Sequence, residues 1–195
     1  MKMAETNKTG VKKTAPTTAQ ATDSSGKQKV PVLSREEGIT KIAALIKGIH
    51  IAMLTTIDKD GKMTSRPMGT QKADFDGQLW FFTKTDSGKV KCIEANQHVN
   101  VAYADPGSSK YVSVAGTGRK VDDIEKKKEL WTPLLKAWFP EGPEDAETAL
   151  LCIDVDSAEL WEGPGKFIQL AGMAAAIATG KEFKGIGENQ KVEMH

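Results

Sequence analysis

The 195-residue sequence predicts a mainly β, α+β fold: a small closed antiparallel barrel with short flanking helices. Three observations lead there. Five or six segments alternate in polarity with the period of a strand. Most are joined by short turns of hairpin type. Helical periodicity is confined to a few brief stretches, so strands do not alternate with helices as a doubly wound sheet requires.

The elements follow in order. Met1 to Lys29 holds no aromatic residue and six lysines against Glu5 and Asp23. Residues 1–31 are therefore expected to be a disordered basic tail, with too little apolar surface to offset the entropy of ordering. Ser34 with Glu37 forms a capping box, and Ile39, Ile42, Ala43 and Ile46 follow at helical spacing until Gly48. His50 to Ile57 alternates as a strand and Asp58-Lys59-Asp60-Gly61 turns the chain. Met63 to Phe75 is a second strand, with Pro67 marking an edge or a bulge because proline cannot donate to a ladder. Asp76-Gly77 predicts a hairpin into Gln78 to Thr83, and Ser87 to Asn96 a short helix. His98 to Ala104 and Tyr111 to Val121 are strands joined through Asp105-Pro106-Gly107. Asp122-Asp123 opens a helix, and Thr132-Pro133 a second that puts Leu134, Leu135 and Trp138 on one face. Leu150 to Trp161 is the sixth strand, Phe167 to Thr179 an alanine-rich helix, and the rest a polar tail.

Composition narrows the function. With 27% charged residues and a net charge of +1, no overall field argues for nucleic acid or an anionic membrane. A nucleic-acid contact through the lysine tail stays open as a minor reading. Cys92 and Cys152 form no CxxC pair, and the three histidines have no metal-ligand spacing, so no metal is expected. No apolar run spans a bilayer and no secretory signal opens the chain, so a cytoplasmic location is expected. Gly116-Thr117-Gly118 lacks the third glycine of a dinucleotide fingerprint and is read as a bulge or a tight approach within a strand. Nucleophile elbows, Walker loops and zinc motifs are absent, so catalytic residues are unassigned and any chemistry falls to a cofactor.

Two stretches do not fit a generic barrel. Thr64-Ser65-Arg66-Pro67-Met68 places a guanidinium fork, suited to phosphate or flavin carbonyls, in mid-strand. Phe82-Thr83-Lys84-Thr85-Asp86-Ser87-Gly88-Lys89 runs from a strand end into a helix start, where free N–H groups favour an anion. Ser87 can cap that helix or hold a phosphate oxygen.

Taken in this order, these stretches resemble the FMN-binding split barrel of the pyridoxamine 5'-phosphate oxidase-like superfamily. Trp80-Phe81-Phe82-Thr83, Lys89 to Asn96, Val99 to Tyr103, Trp161-Glu162-Gly163-Pro164 and the ending Ala178-Thr179-Gly180-Lys181 with Gly187-Glu188-Asn189 are similar to its bacterial general stress protein branch. The likeness runs from about Ser34 to Val192. It implies a six-stranded antiparallel split β-barrel over residues 32–165, with a C-terminal helix and tail, 166–195, packing on it. It implies FMN, with FAD as the alternative, in the interface of a homodimer.

By the same resemblance Arg66 approaches the flavin and its phosphate, and Pro67 and Met68 face the isoalloxazine. Phe82 and Thr83 lie beside the ring and ribityl chain. Ser87 and Lys89 bind phosphate with Lys84 as a helper, and Trp161 reaches the flavin from the opposite subunit. Trp138 is a second aromatic candidate, although its spacing suits core packing better. The oxidases carry Arg-x-His after the late tryptophan, where this chain reads Glu162-Gly163-Pro164-Gly165, which argues against oxidation of pyridoxamine phosphate. The implied function is an FMN-binding general stress protein with a redox role. A flavin-dependent reductase or oxidase of a small molecule is the alternative.

Overall fold

The structure, a computed structural model, describes residues 30–71, 74–164, 166–180 and 188–194. The expected basic tail, Met1 to Lys29, lies outside the described residues. The chain runs β1 (Val32–Leu33), α1 (Arg35–Ile46), β2 (Ile51–Ile57), β3 (Met63–Gly69), β4 (Gln78–Lys84), α2 (Gly88–Ala95), β5 (His98–Asp105) and β6 (Lys110–Val121). It continues as α3 (Ile124–Leu130), a short 3-10 helix Pro133–Ala137, β7 (Thr148–Glu162), α4 (Lys166–Thr179) and β8 (Glu188–Glu193).

One mostly antiparallel sheet has the order β1-β8-β7-β6-β5-β2-β3, and β4 joins it by pairing with β7. The 15-residue β7 makes this possible. Its first half pairs with β4 and its second half with β8, while β6 runs along its other edge. The inward side chains Leu54, Phe81, Val101, Val114, Ile153 and Leu160 are buried in one core, which Ile42 of α1 and Val90 and Ile93 of α2 complete. A smaller cluster outside β4 packs Phe82 against Leu130, Trp131, Leu135 and Phe139.

Local chemistry explains the punctuation. Ser34 and Glu37 close the capping box, each bonding the other's backbone N–H. The Asp58 carboxylate accepts from the N–H groups of Asp60 and Lys62, and Gly61 takes φ 80° to complete the turn. Asp123 caps α3 by accepting from Glu125 and Lys126, and Asp122 pairs with Lys127. That lysine is only 3% exposed, and its ammonium also donates to the Thr148 carbonyl, so its burial is compensated. Pro67 lies on β3, the last strand of the sheet order, as an edge position requires. The Gly116 reading also holds: the β6–β7 register shifts between Ala115 and Gly116.

Four expectations need correction. Among the described residues the sheet has eight strands rather than six: β1 and β8 add a parallel pair, and β8 replaces a polar tail over Glu188–Glu193. Residues 181–187 of that tail lie outside the described residues. Second, Asp76-Gly77 does not close a hairpin. β3 stops at Gly69, and the Gly77 carbonyl instead accepts from Val155, setting β4 against β7. Third, the helix at Pro133 is a short 3-10 turn rather than a full helix. Fourth, Trp138 is 62% exposed rather than packed in the core, because the turn lays Leu135 and Phe139 on Phe82 and leaves Leu134 and Trp138 facing outward.

Candidate functional site

The barrel opens where β3 and β4, successive in the chain, do not hydrogen-bond to each other. Cations gather at that opening. Arg66 of β3 is half-buried and donates through Nη1 to Thr56 Oγ1 at 2.7 Å and to the Leu54 carbonyl at 3.5 Å. From the other side, Lys89 at the start of α2 donates to Thr83 Oγ1 at 3.0 Å, and Thr83 Oγ1 is 3.0 Å from Ser87 Oγ. Partial burial and the neighbouring Arg66 guanidinium hold the Lys89 ammonium below the ordinary lysine range. Neither cation has a carboxylate partner among the described ion pairs. Two cations brought near one another, backed by three hydroxyls, form a cradle for an anion.

The local sequence places these groups. In β4 inward positions alternate, so Leu79 and Phe81 enter the core and Thr83, next inward, meets the end of the barrel. Ser87 is the N-cap of α2 yet makes no side-chain cap bond, which leaves its hydroxyl to Thr83. In β2 the inward series Ala52, Leu54, Thr56 ends on a hydroxyl that is fully buried. Thr56 was missed from sequence, although a threonine at a buried register position is a usable signal.

Of the nine expected binding residues, the structure brings together Arg66, Thr83, Ser87 and Lys89. Met68 points into the core, while Pro67 faces outward opposite Met53. Phe82 points away from Thr83 and meets Trp131 edge-on, with ring centroids 5.4 Å apart. Lys84 is exposed on the same outward side of β4. Trp161 faces outward on β7 beside Tyr111. Four strand-to-strand steps separate β7 from β3, about 19 Å along the sheet. Two surface hollows lie elsewhere. One of about 380 Å³ is lined by Arg35, Asp76, Gln78 and Asp154, and one of about 480 Å³ by Leu33, Glu37, Lys41 and Gln190. The buried Cys152 thiol is pushed up to about 11 by desolvation and is no nucleophile near neutral pH. Among the described residues no cluster of His, Cys, Asp and Glu suits a metal, and no helix is long and apolar enough to cross a membrane.

Fold and site together define an antiparallel split barrel with two cations and three hydroxyls at its opening. Residues 37–184 match the family described as pyridoxamine 5'-phosphate oxidase like, and the chain belongs to that family. Protein bli-3 of Neurospora crassa is 27% identical over 157 residues, which cover 75% of each chain. The putative general stress protein 26 of Jannaschia sp. CCS1 superposes with TM-score 0.65 at 25% identity, over 80% of this chain and 98% of that one. The general stress FMN/FAD binding protein of Xanthomonas citri gives TM-score 0.57 at 29% identity, over 65% and 89%.

Proposed function

We propose that this chain is an FMN-binding general stress protein with a redox role, its flavin held between two copies of the chain. The observation that carries the reading is the Arg66–Lys89 pair at the β3–β4 opening. Two uncompensated cations with Thr83 and Ser87 fit a dianionic phosphate monoester, the terminus that distinguishes FMN from riboflavin. The bound flavin would supply hydride and electron transfer that no side chain here offers. Arg66 and Lys89 would neutralise the phosphate, Thr83 and Ser87 would donate to its oxygens, and Thr56 would hold the guanidinium in place. An absorption spectrum of the freshly purified protein tests this, followed by chromatography of the released cofactor against FMN and FAD standards. A colourless protein that binds neither flavin on titration would end the proposal.

Thr56 gives a narrower check. Thr56→Val removes the acceptor that fixes Arg66 and is expected to weaken FMN about tenfold, roughly 1.4 kcal/mol. Thr56→Ser, which keeps the hydroxyl, is expected to restore it. Equal affinity in all three proteins would mean that Arg66 needs no such support.

Two features support a second copy. Trp161 lies on the outer face of the sheet, while Arg66 turns toward the buried Thr56, so one chain does not bring both to a single flavin. The outward positions of β3, β2 and β5 and those of β6 from Tyr111 to Ala115 carry no Lys, Arg, Asp or Glu, in a chain with 27% charged residues. Ile51, Met53, Pro67, Ala102, Ala104 and Tyr111 stand on that face, the composition of an interface core. A ligand touching both copies must pull the equilibrium toward dimer. Sedimentation over a dilution series is expected to show FMN tightening the dimer, and Trp161→Ala weakening both FMN and this linkage. A monomer holding stoichiometric FMN would overturn the two-copy site.

A further inference from the structure

We propose that α4 is an arm that docks on a second copy of this chain, beside the uncharged sheet face, instead of packing on its own barrel. The inference rests on the two-copy site proposed above and adds to it the segment that locks the copies together.

The arm is visible in the topology. Glu162 ends β7 and Glu188 begins β8, and these two residues are register partners. The chain therefore leaves the sheet and returns to it at one rung, with α4 in the excursion between. Fourteen helical residues span about 21 Å. The root is fixed. The Gly163 N–H donates to the Ser109 carbonyl at 2.9 Å, Ser109 Oγ lies 3.4 Å from Gln169 Oε1, and a Cβ on Gly163 would stand 2.8 Å from Gln169 Nε2. Beyond that first turn the helix's large apolar side chains stand in solvent. Leu170 is 71% exposed, Met173 50% and Ile177 83%, at spacings that place all three on one stripe. A lone helix of this length is marginal in water, so its stability calls for a covering surface.

The chemistry of the arm selects the partner. Lys166, at its root, is the one charged residue in α4. The helix thus lacks the basic face that an anionic membrane or nucleic acid would need. What it fits is another uncharged surface, and this chain carries one that starts at the same root. Tyr111 and Trp161 are register partners one rung inward from Lys110 and Glu162, and Ala104, opposite Tyr111, continues the outward row onto β5. A two-fold axis on that face brings each copy's arm beside the other copy's sheet. Asn189, paired in register with Trp161, leaves its Oδ1 buried without a donor among the described residues, a further polar group at this root.

The test is hydrogen exchange on the full chain with FMN, above and below the dimer midpoint found by sedimentation. The expected result is that α4 amides are protected about tenfold or more in the dimer and lose that protection on dilution, by more than barrel amides remote from the sheet face and the flavin. The double variant Leu170→Asp/Ile177→Asp is expected to raise the dimer dissociation constant at least about tenfold and leave the melting temperature of the dissociated chain unchanged. A dimer whose α4 exchanges freely, or protection independent of concentration, would overturn the arm and leave the flavin dimer standing. Co-flotation of the wild-type protein, but not of the double variant, with phosphatidylcholine/phosphatidylglycerol vesicles would overturn it in favour of a lipid surface. A monomer at every concentration would remove the two-copy site and the arm together.

Discussion

Arg66→Ala is expected to weaken FMN by about 30- to 150-fold, or 2–3 kcal/mol, the range for losing a hydrogen bond to a charged group. Riboflavin, which has no phosphate, is expected to lose much less. Lys89→Ala is expected to follow the same pattern, because its ammonium would face the same phosphate from α2. The pH dependence then has a definite sign. Desolvation and Arg66 hold the Lys89 pKa below the ordinary lysine range. As pH rises through that lowered value, the ammonium is lost and FMN affinity falls. In the flavin-free protein the sign reverses. The unfolded chain keeps the Lys89 proton to higher pH, so stability increases as pH rises from the folded to the unfolded value. Fluorescence-quenching titrations with FMN and riboflavin across the alkaline range measure the affinity, and thermal unfolding of the flavin-free protein over the same range measures the stability. If Arg66→Ala and Lys89→Ala bind FMN as the parent does, the phosphate lies elsewhere.

Gly116→Ala is expected to destabilise the barrel by about 3 kcal/mol, the upper end for overpacking, and to lower the melting temperature by roughly 6–12 °C for a chain of this size. The reason is backbone against backbone. A Cβ at this position would collide with the Asp154 carbonyl oxygen, and it would stand 3.0 Å from Ile153 Cγ2. The site is the β6–β7 irregularity, where Ala115 pairs with Ser157 and Gly116 with Val155. Neither strand can retreat cheaply, since β7 is also bonded to β4 on its far edge. Gly69→Ala is the control, because nothing lies within 4 Å of a Cβ there. Thermal unfolding that leaves the two variants indistinguishable would show that the bulge relaxes freely.

Much of this is legible in the sequence. The Ser34–Glu37 box, the Asp58 turn, the edge position of Pro67 and the break at Gly116 are local statements, and each rests on atoms a few bonds apart or on the period of a strand. The four cradle residues were legible as candidates because β4 delivers Thr83, and its turn delivers Ser87 and Lys89, within seven positions. Strand β8 was not legible. Glu188-Asn189-Gln190-Lys191-Val192-Glu193 is polar apart from Val192, and only pairing with β7 and β1 makes it a strand. The pairing of β4 was equally hidden, because Asp76-Gly77 satisfies a hairpin rule whether or not the preceding strand reaches it.

The sequence alone determined most of the elements and a set of candidate ligands: alternation sets strands β2 to β7, and Arg66, Thr83, Ser87 and Lys89 are the residue types that would suit an anion. Tertiary structure alone decided which of those residues meet. Met68 and Arg66 are both inward on β3, yet one reaches core and the other the Thr56 hydroxyl at the opening. Phe82 and Thr83 are neighbours in sequence, yet they face an aromatic cluster and a cation respectively. Side-chain direction along a strand is local, but what stands opposite depends on partners chosen far away in the chain. Here β7, some seventy residues after β4, makes that choice by closing one side of the barrel and leaving the β3–β4 side open for the cations.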